Sequence, residues 1–478
     1  MGRGIWFVCS FCMSLFLCIC VRKRLFFIFK SGGKIMRYWY KIHRWIGFIC
    51  LLFFLLLCLT GLPLLFKTEI HDFNLLDKEN MHPASDYGQI WREVDAGEKL
   101  VKEGYSGKSI RSISVQPDEG RILFRVQDKD SNKPVAARLS MGGEQLAYYP
   151  SDHTLQPWHQ EKVKYPWLAE FMHEMHRLHM YLGMGKGGMV FLGFMCFLSL
   201  VSVVSGCVLY GPFMRRSPFA LIGKRSWRER WFGWHKFLGI ATAVWAIILC
   251  FSGVVIVIFS LSYGLYIQDS KTAVKDYWQS APAAGKHLSL AEAKTFVMEA
   301  FPDDVILSLD LPDRRQSPAA YIFYITPATE NPLDFLGQLV FIPDRKGMEP
   351  QYFTKPLPDY LFFAGYMLKL HIHNHELLIL KILWALLDIA LIFVILSGLL
   401  GWLRKGEKIE RSSVATPSLN RPTASTWKWP GILAGLSLLG LVLPLYGTVG
   451  EFAGTIAWLA VALLSIFLWR ERNSQGNA

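Results

Sequence analysis

Histidine positions carry the chemistry of this sequence. Of its 13 histidines, eight sit at the ends of four apolar stretches. His43 opens the first in His43-Arg-Trp-Ile-Gly47, and His235 opens the third in Trp234-His-Lys-Phe-Leu-Gly239. His173, His176 and His179 stand just before the second, and His371, His373 and His375 just before the fourth. Imidazole is the commonest metal ligand, and a haem iron with two axial imidazoles takes one from each of two facing helices. One histidine group at each end of a four-helix core therefore predicts two haems, one near each membrane face, as an electron path. His173 and His176 are three apart and His371 and His375 four apart, so each pair shares a helical face. Only one of each trio is needed as a ligand. Two other readings stand beside this one. A histidine at a helix end can satisfy terminal carbonyls or sit at headgroup level. The two trios could also hold zinc or non-haem iron, which leaves His43 and His235 without a role.

The elements that position these residues are membrane helices. Apolar runs at 45–66, 188–211, 237–263, 377–402 and 430–447 meet or approach the ~20 residues a span requires, and 452–469 follows. Mean hydropathy is +0.26 and 52% of residues are hydrophobic, both high for a soluble chain. The net charge of +13 is concentrated in short segments. Residues 213–234 carry Arg215, Arg216, Lys224, Arg225, Arg228 and Arg230 against Glu229 alone. Arg37, Lys41 and Arg44 precede the first run, Arg404, Lys405, Lys408 and Arg411 follow the fourth, and Arg470 and Arg472 follow the sixth. The positive-inside rule puts these in the cytoplasm and the long mixed-charge stretches outside. The basic charge is thus a topology signal, and no nucleic-acid partner is expected. The expected spans are 36–66, 188–211, 235–263, 371–403, 430–447 and 452–469. External regions cover 67–187 and 264–370, with a cytoplasmic loop at 212–234 and a linker at 404–429. Residues 1–35 read as an extension, either a further helix or a stretch preceding a true start at Met36, and the second is preferred.

The order helix, external region, helix, basic loop, helix, external region, helix reads as a duplication. In the second region Ser289 and Glu292 form a capping-box pattern, followed by strand-like 305–311, 320–326 and 338–342. In the first, a helical stretch near 89–103 precedes strands near 110–116, 121–127 and 135–140. Both read as small α+β units. All nine cysteines lie in apolar segments, which excludes an external disulfide framework or iron–sulfur cluster. Asp388 falls inside the fourth run, where a carboxylate is costly. It reads as functional or as a protonated group bonded to a neighbouring helix. His153, Trp158, His159, Tyr165 and Trp167 in 150–170 offer a polar-aromatic surface.

Several of these stretches resemble the PepSY-associated transmembrane family. They are His43-Arg-Trp-Ile-Gly with Thr60-Gly61, Leu178 to Gly188, Trp234-His235-Lys236 with Gly239, and Leu370-His371 leading to Ser397-Gly398-Leu-Leu-Gly-Trp402-Leu-Arg404. The likeness covers roughly 36–405. It implies a mainly α membrane protein: a four-helix transmembrane core plus two C-terminal transmembrane helices, with two small α+β PepSY-like periplasmic domains. The family includes iron-regulated membrane proteins and inner-membrane ferric-siderophore reductases that bind b-type haem. That implies two haems b whose iron is held by His43, His235, His176 and His371, with His176 chosen because His176-Arg177 looks like the family's His-Arg. His173, His179, His373 and His375 remain further candidates. The implied function is an oxidoreductase in the bacterial inner (cytoplasmic) membrane, in contact with membrane lipid, passing electrons to a periplasmic ferric siderophore or other ferric chelate. No flavin or nicotinamide motif is visible, so the donor is a separate quinol or flavoprotein. The alternative is a non-redox protein whose PepSY-like domains bind or restrain periplasmic peptidases. Reporter fusions at residues 120, 222, 310 and 474 test the topology and should read outside, inside, outside and inside. A cytoplasmic signal at 310 sinks the two-face arrangement.

Overall fold

Inside a bilayer no water is available to backbone groups, so an apolar run must close its own hydrogen bonds as a helix. The computed structural model describes residues 33–74, 87–117, 120–129, 144–157, 163–214, 227–278, 286–314, 319–328, 337–347, 351–372, 377–403 and 428–475. The first half runs α1 (Gly33–Leu64), α2 (Lys67–Asn74), α3 (Tyr87–Arg92), α4 (Val94–Gly104), β1 (Lys108–Gln116), β2 (Arg121–Asp128), β3 (Glu144–Tyr149), β4 (Thr154–Pro157), α5 (Pro166–Tyr181) and α6 (Gly185–Met214). The second runs α7 (Trp227–Ala241), α8 (Ala243–Tyr277), α9 (Leu290–Ala300), β5 (Asp304–Asp310), β6 (Ala320–Pro327), β7 (Gln338–Pro343), β8 (Phe353–Lys355), α10 (Asp359–Ile372) and α11 (Leu378–Leu403). A terminal piece follows: α12 (Lys428–Val442), a 3-10 turn (Leu443–Tyr446) and α13 (Gly447–Gln475).

Among the described residues five segments are long and apolar enough to cross a membrane: Ile35–Leu64, Gly185–Tyr210, Ala243–Val274, Leu378–Leu403 and Gly431–Phe467. The fifth doubles back at the 3-10 turn, which ends at Gly447 with φ 78°, and Gly440 on α12 then lies against the Trp458 indole of α13. It packs on α8 and α11 through Trp245, Trp384, Leu441 and Trp458.

Two expected boundaries move. His235 lies on α7, separate from the spanning α8, and His371 lies on α10, separate from α11. Thr242 stands at the first break, its hydroxyl donating back to Leu238 O at 2.9 Å. At the second, α11 starts with its own cap, Glu451 accepting the Leu377 N–H at 2.8 Å.

The two α+β regions are not separate domains. They share one antiparallel sheet of eight strands, in the order β4-β3-β2-β1-β5-β6-β7-β8. The join is β1 with β5. Ile113 faces Leu309, Ser112 faces Asp310 and Ser114 faces Ser308, and each of these strands carries a register shift next to its first serine in the pairing, at Ile110/Ser112 and Ile306/Ser308. An approximate two-fold axis therefore passes between Ile113 and Leu309. Pairing β1 with β5 removes the exposed edge that each half-sheet would otherwise present. The expected strand at 135–140 lies outside the described residues.

Helices α3, α4 and α9 cover one face of the sheet, burying Trp91, Val94, Val101, Ala293 and Val297 against Phe124, Tyr148, Phe323 and Ile342. Ser289 and Glu292 do form a capping box at the start of α9. On the other face, Ile322, Leu339 and Phe341 pack on Tyr266 and Val274 of α8. At 35 residues, α8 is ~52 Å long against a hydrocarbon core of ~30 Å. It therefore reaches out of the apolar layer to carry the sheet. Contacts cross between the halves: Trp91 Nε1 donates to Ile306 O at 2.5 Å, and Lys294 Nζ donates to Trp91 O at 3.2 Å and Asp95 Oδ2 at 2.7 Å. Trp91→Ala should lower the stability of the sheet unit by about 3–5 kcal/mol, as a large-to-small change at a site 1% exposed. Denaturant unfolding in detergent followed by sheet circular dichroism measures it. A loss under about 1 kcal/mol would mean that the halves are not joined through this residue.

Candidate functional site

Four of the singled-out histidines meet in two pairs. At the end of the bundle remote from the sheet, the rings of His43 (α1) and His235 (α7) have centroids 6.1 Å apart with their planes 60° apart. At the sheet end, His179 (α5) and His371 (α10) have centroids 6.2 Å apart with planes 53° apart. All four are half-buried. His43 and His235 are 192 positions apart in the chain, and so are His179 and His371. Each pair thus unites one residue with its own counterpart from the other half.

The supporting contacts repeat with the same offset. His43 Nδ1 lies 2.9 Å from Ser202 O, and His235 Nδ1 lies 2.8 Å from Val394 O, each across 159 residues. His179 Nδ1 lies 2.9 Å from Thr60 Oγ1, and His371 Nδ1 lies 2.9 Å from Ser252 Oγ, each across 119 residues. These contacts fix the tautomer. A carbonyl can only accept, so Nδ1 of His43 and His235 carries the hydrogen. The Thr60 hydroxyl already donates to Leu56 O at 2.7 Å, and Ser252 to Ile248 O at 2.7 Å. Their oxygens therefore accept from Nδ1–H of His179 and His371. In all four rings the lone pair is left on Nε2, which makes no hydrogen bond among the described residues. The other ring edge is also fitted: a Cβ on Gly206 would stand 3.0 Å from His43 Cε1, and one on Gly398 3.0 Å from His235 Cε1. A larger residue at either position would press on these rings and require them to shift by a few tenths of an ångström.

The expected partner of His371 was His176, and the structure puts His179 there instead. His176 sits almost a turn earlier on α5 and is half-buried. Burial, and then the positive charges of Lys67 and His173, pull its pKa below the usual histidine value. His173 is exposed, and His373 and His375 lie outside the described residues. The signal that finds His179 is in the sequence: the spacing from His43 to His235, subtracted from 371, gives 179.

Further ionisable groups lie inside the helical part, Glu451 of α13 among them. Asp388 on α11 is buried. Lys381, one charge within an apolar run and missed at the sequence level, is 2% exposed and bonds Glu69 Oε1 of α2 at 2.6 Å. In the 150–170 stretch, Tyr165 stacks on Phe73, and its backbone is strapped by Asn74 through two hydrogen bonds of 2.8 and 3.0 Å. His153 bonds the Tyr148 hydroxyl at 2.8 Å. Trp158 and His159 lie outside the described residues. No group of three or more His, Cys, Asp or Glu side chains able to hold a bare metal ion occurs among the described residues.

A duplicated helical core, two imidazole pairs and a shared antiparallel sheet define a multi-pass membrane protein built from two equivalent halves. The sequence matches the PepSY-associated TM region over residues 4–141 and 40–405, and the chain belongs to that family. No curated protein matches it.

The tethers are testable without any ligand. Thr60→Val leaves the His179 Nδ1–H without its acceptor and should cost about 1–3 kcal/mol. Thr60→Ser, which keeps the oxygen, should unfold in detergent at the wild-type midpoint. Equal midpoints for all three proteins would mean that the hydroxyl does not hold the ring.

Proposed function

We propose that the chain is a di-haem electron-transfer protein of the bacterial inner membrane, passing electrons to a ferric chelate such as a ferric siderophore on the periplasmic side. The observation that carries this reading is the repeated pair of tethered imidazoles. Two metal–imidazole bonds of about 2 Å, with ~1 Å from each nitrogen to its ring centre, place ring centres ~6 Å apart. The measured separations are 6.1 and 6.2 Å. Each pair offers two imidazole nitrogens, which would suit a bis-imidazole haem and falls short of the three or four ligands that zinc takes.

In this reading His43 and His235 would hold haem b near the cytoplasmic face, and His179 and His371 would hold another near the periplasmic face. When bound, haem b supplies one-electron carrier chemistry at the two ends of the bundle. The protein's own part is orientation. Ser202 O and Val394 O aim one pair, Thr60 and Ser252 the other, and the tethers raise ligand basicity. The donor is a membrane quinol or a cytoplasmic flavoprotein. The chelate docks at the sheet end, where Tyr165 and Trp167 are exposed. Reduction frees the iron, because the ferrous ion is held less tightly than the ferric one by hard oxygen ligands.

A visible spectrum of the purified protein should show a Soret band and the α and β bands of six-coordinate haem b. His43→Ala or His235→Ala should each remove roughly half the haem, and so should His179→Ala or His371→Ala. His176→Ala should keep all of it. Wild-type protein reduced by dithionite should be reoxidised by a ferric siderophore, and the His179→Ala protein should not. A wild-type protein without a Soret band refutes the reading.

A further inference from the structure

The duplication lets the chain be compared with itself. Residues that repeat at the 192-position offset belong to the common frame, and departures mark what one half does alone. Cys58 repeats as Cys250, but the counterpart of Cys196 is Asp388. Asp388 is 8% exposed in the apolar core. The Cys58 thiol hydrogen-bonds its carboxyl, while Oδ2 is buried with no hydrogen-bond partner.

Its position along the path matters. Val394, which holds His235, is six residues further along the same helix, ~9 Å away. Cys58 is two residues from Thr60, which holds His179. Asp388 therefore lies between the two imidazole pairs. The titratable group against it is a thiol, that of Cys58 on α1, and Cys250 of α8 and Cys196 of α6 lie near Cys58 in turn. Lys381, two turns away on its own helix, is engaged by Glu69 of α2. Glu451 of α13 is bonded to the Leu377 N–H at the sheet end, and α7 brings His235. No described cation pairs with the Asp388 carboxylate. A carboxylate so placed is ionised only if a positive charge stands nearby, and otherwise it holds a proton.

We propose that Asp388 is a redox-linked proton site that takes up one proton when a neighbouring haem is reduced and releases it on reoxidation. This rests on the haem reading above. A ferric bis-imidazole haem centre carries one net positive charge on its iron–porphyrin unit, and the ferrous centre none. In the oxidised protein that charge is the counter-ion of the Asp388 carboxylate. One electron, from a quinol or flavin donor in the cell or from an electrode in the assay, converts ferric to ferrous iron. One proton from water then bonds to Oδ2, so the low-dielectric core gains no net charge. Transfer of the electron to the ferric chelate restores the positive charge, and the proton leaves.

The test is spectroelectrochemical titration of the purified haem protein at several values between about pH 6 and 9. One haem midpoint should fall with rising pH at up to about 59 mV per unit, the one-electron equivalent of a tenfold change in proton activity. In Asp388→Asn that slope should flatten while haem content and spectrum stay as in wild type. Asp388→Cys, which restores the residue of the other half, should flatten it as well and guards against a folding defect in the amide variant. A reduced-minus-oxidised infrared spectrum should show a protonated carboxyl band on reduction that both variants lack. A wild-type slope retained in the variants, or a wild-type midpoint independent of pH, overturns the proton site and leaves the haem reading standing. A wild-type protein without haem overturns both.

Discussion

The geometry of both sites depends on one interaction, the hydrogen bond that ties each Nδ1–H to a neighbouring helix. An imidazole can direct the lone pair of one nitrogen only if the proton on the other is held, and here it is held four times. Two tethers are backbone carbonyls and two are hydroxyls whose own hydrogen is already committed within the helix. Breaking the α8 approach at Thr242 and setting His235 and His371 on separate short helices serve the same end. A ring on a helix that stops at the membrane boundary can turn toward its partner without bending a spanning helix in the apolar layer.

The two-fold relation ties the sheet to the helices. Ile113 meets Leu309 across the sheet join, related by the matching register shifts at an offset of 196 positions, as His43 meets His235 and His179 meets His371 at 192 in the helical part. The same internal symmetry therefore governs the strand register and the histidine pairing. Cross-half contacts from Trp91 and Lys294 keep the register. The long α8 and the apolar side of β6–β8 join the sheet to the bundle.

Much of this was legible in the sequence, and the misses have physical causes. Apolar runs and basic loops mark the helices because a bilayer tolerates little else. The Ser289 capping box was readable because both of its partners are local. The shared sheet was not, since an antiparallel join between strands almost two hundred residues apart leaves no local mark on either. His176 was preferred to His179, which stayed a further candidate, because His176-Arg177 looks like the family's His-Arg, and helical spacing alone does not separate two residues of one face. Only the offset between the halves separates them. Lys381 was overlooked because a single charge in a long apolar run changes hydropathy little, and its partner Glu69 lies 312 residues away.

The pairing of counterparts has a consequence for the origin of the chain. Each half contributes one histidine to each pair, so a half by itself has no complete site. Two copies of a single half, related by a true two-fold axis, would complete both sites and close the sheet through a strand paired with its own copy. A half-length chain acting as a symmetric dimer would have both histidine pairs and the closed sheet, though not α12 and α13, which follow the second half and stand outside the repeat. Joined in one chain, two halves can differ from each other, as Cys196 and its counterpart Asp388 do.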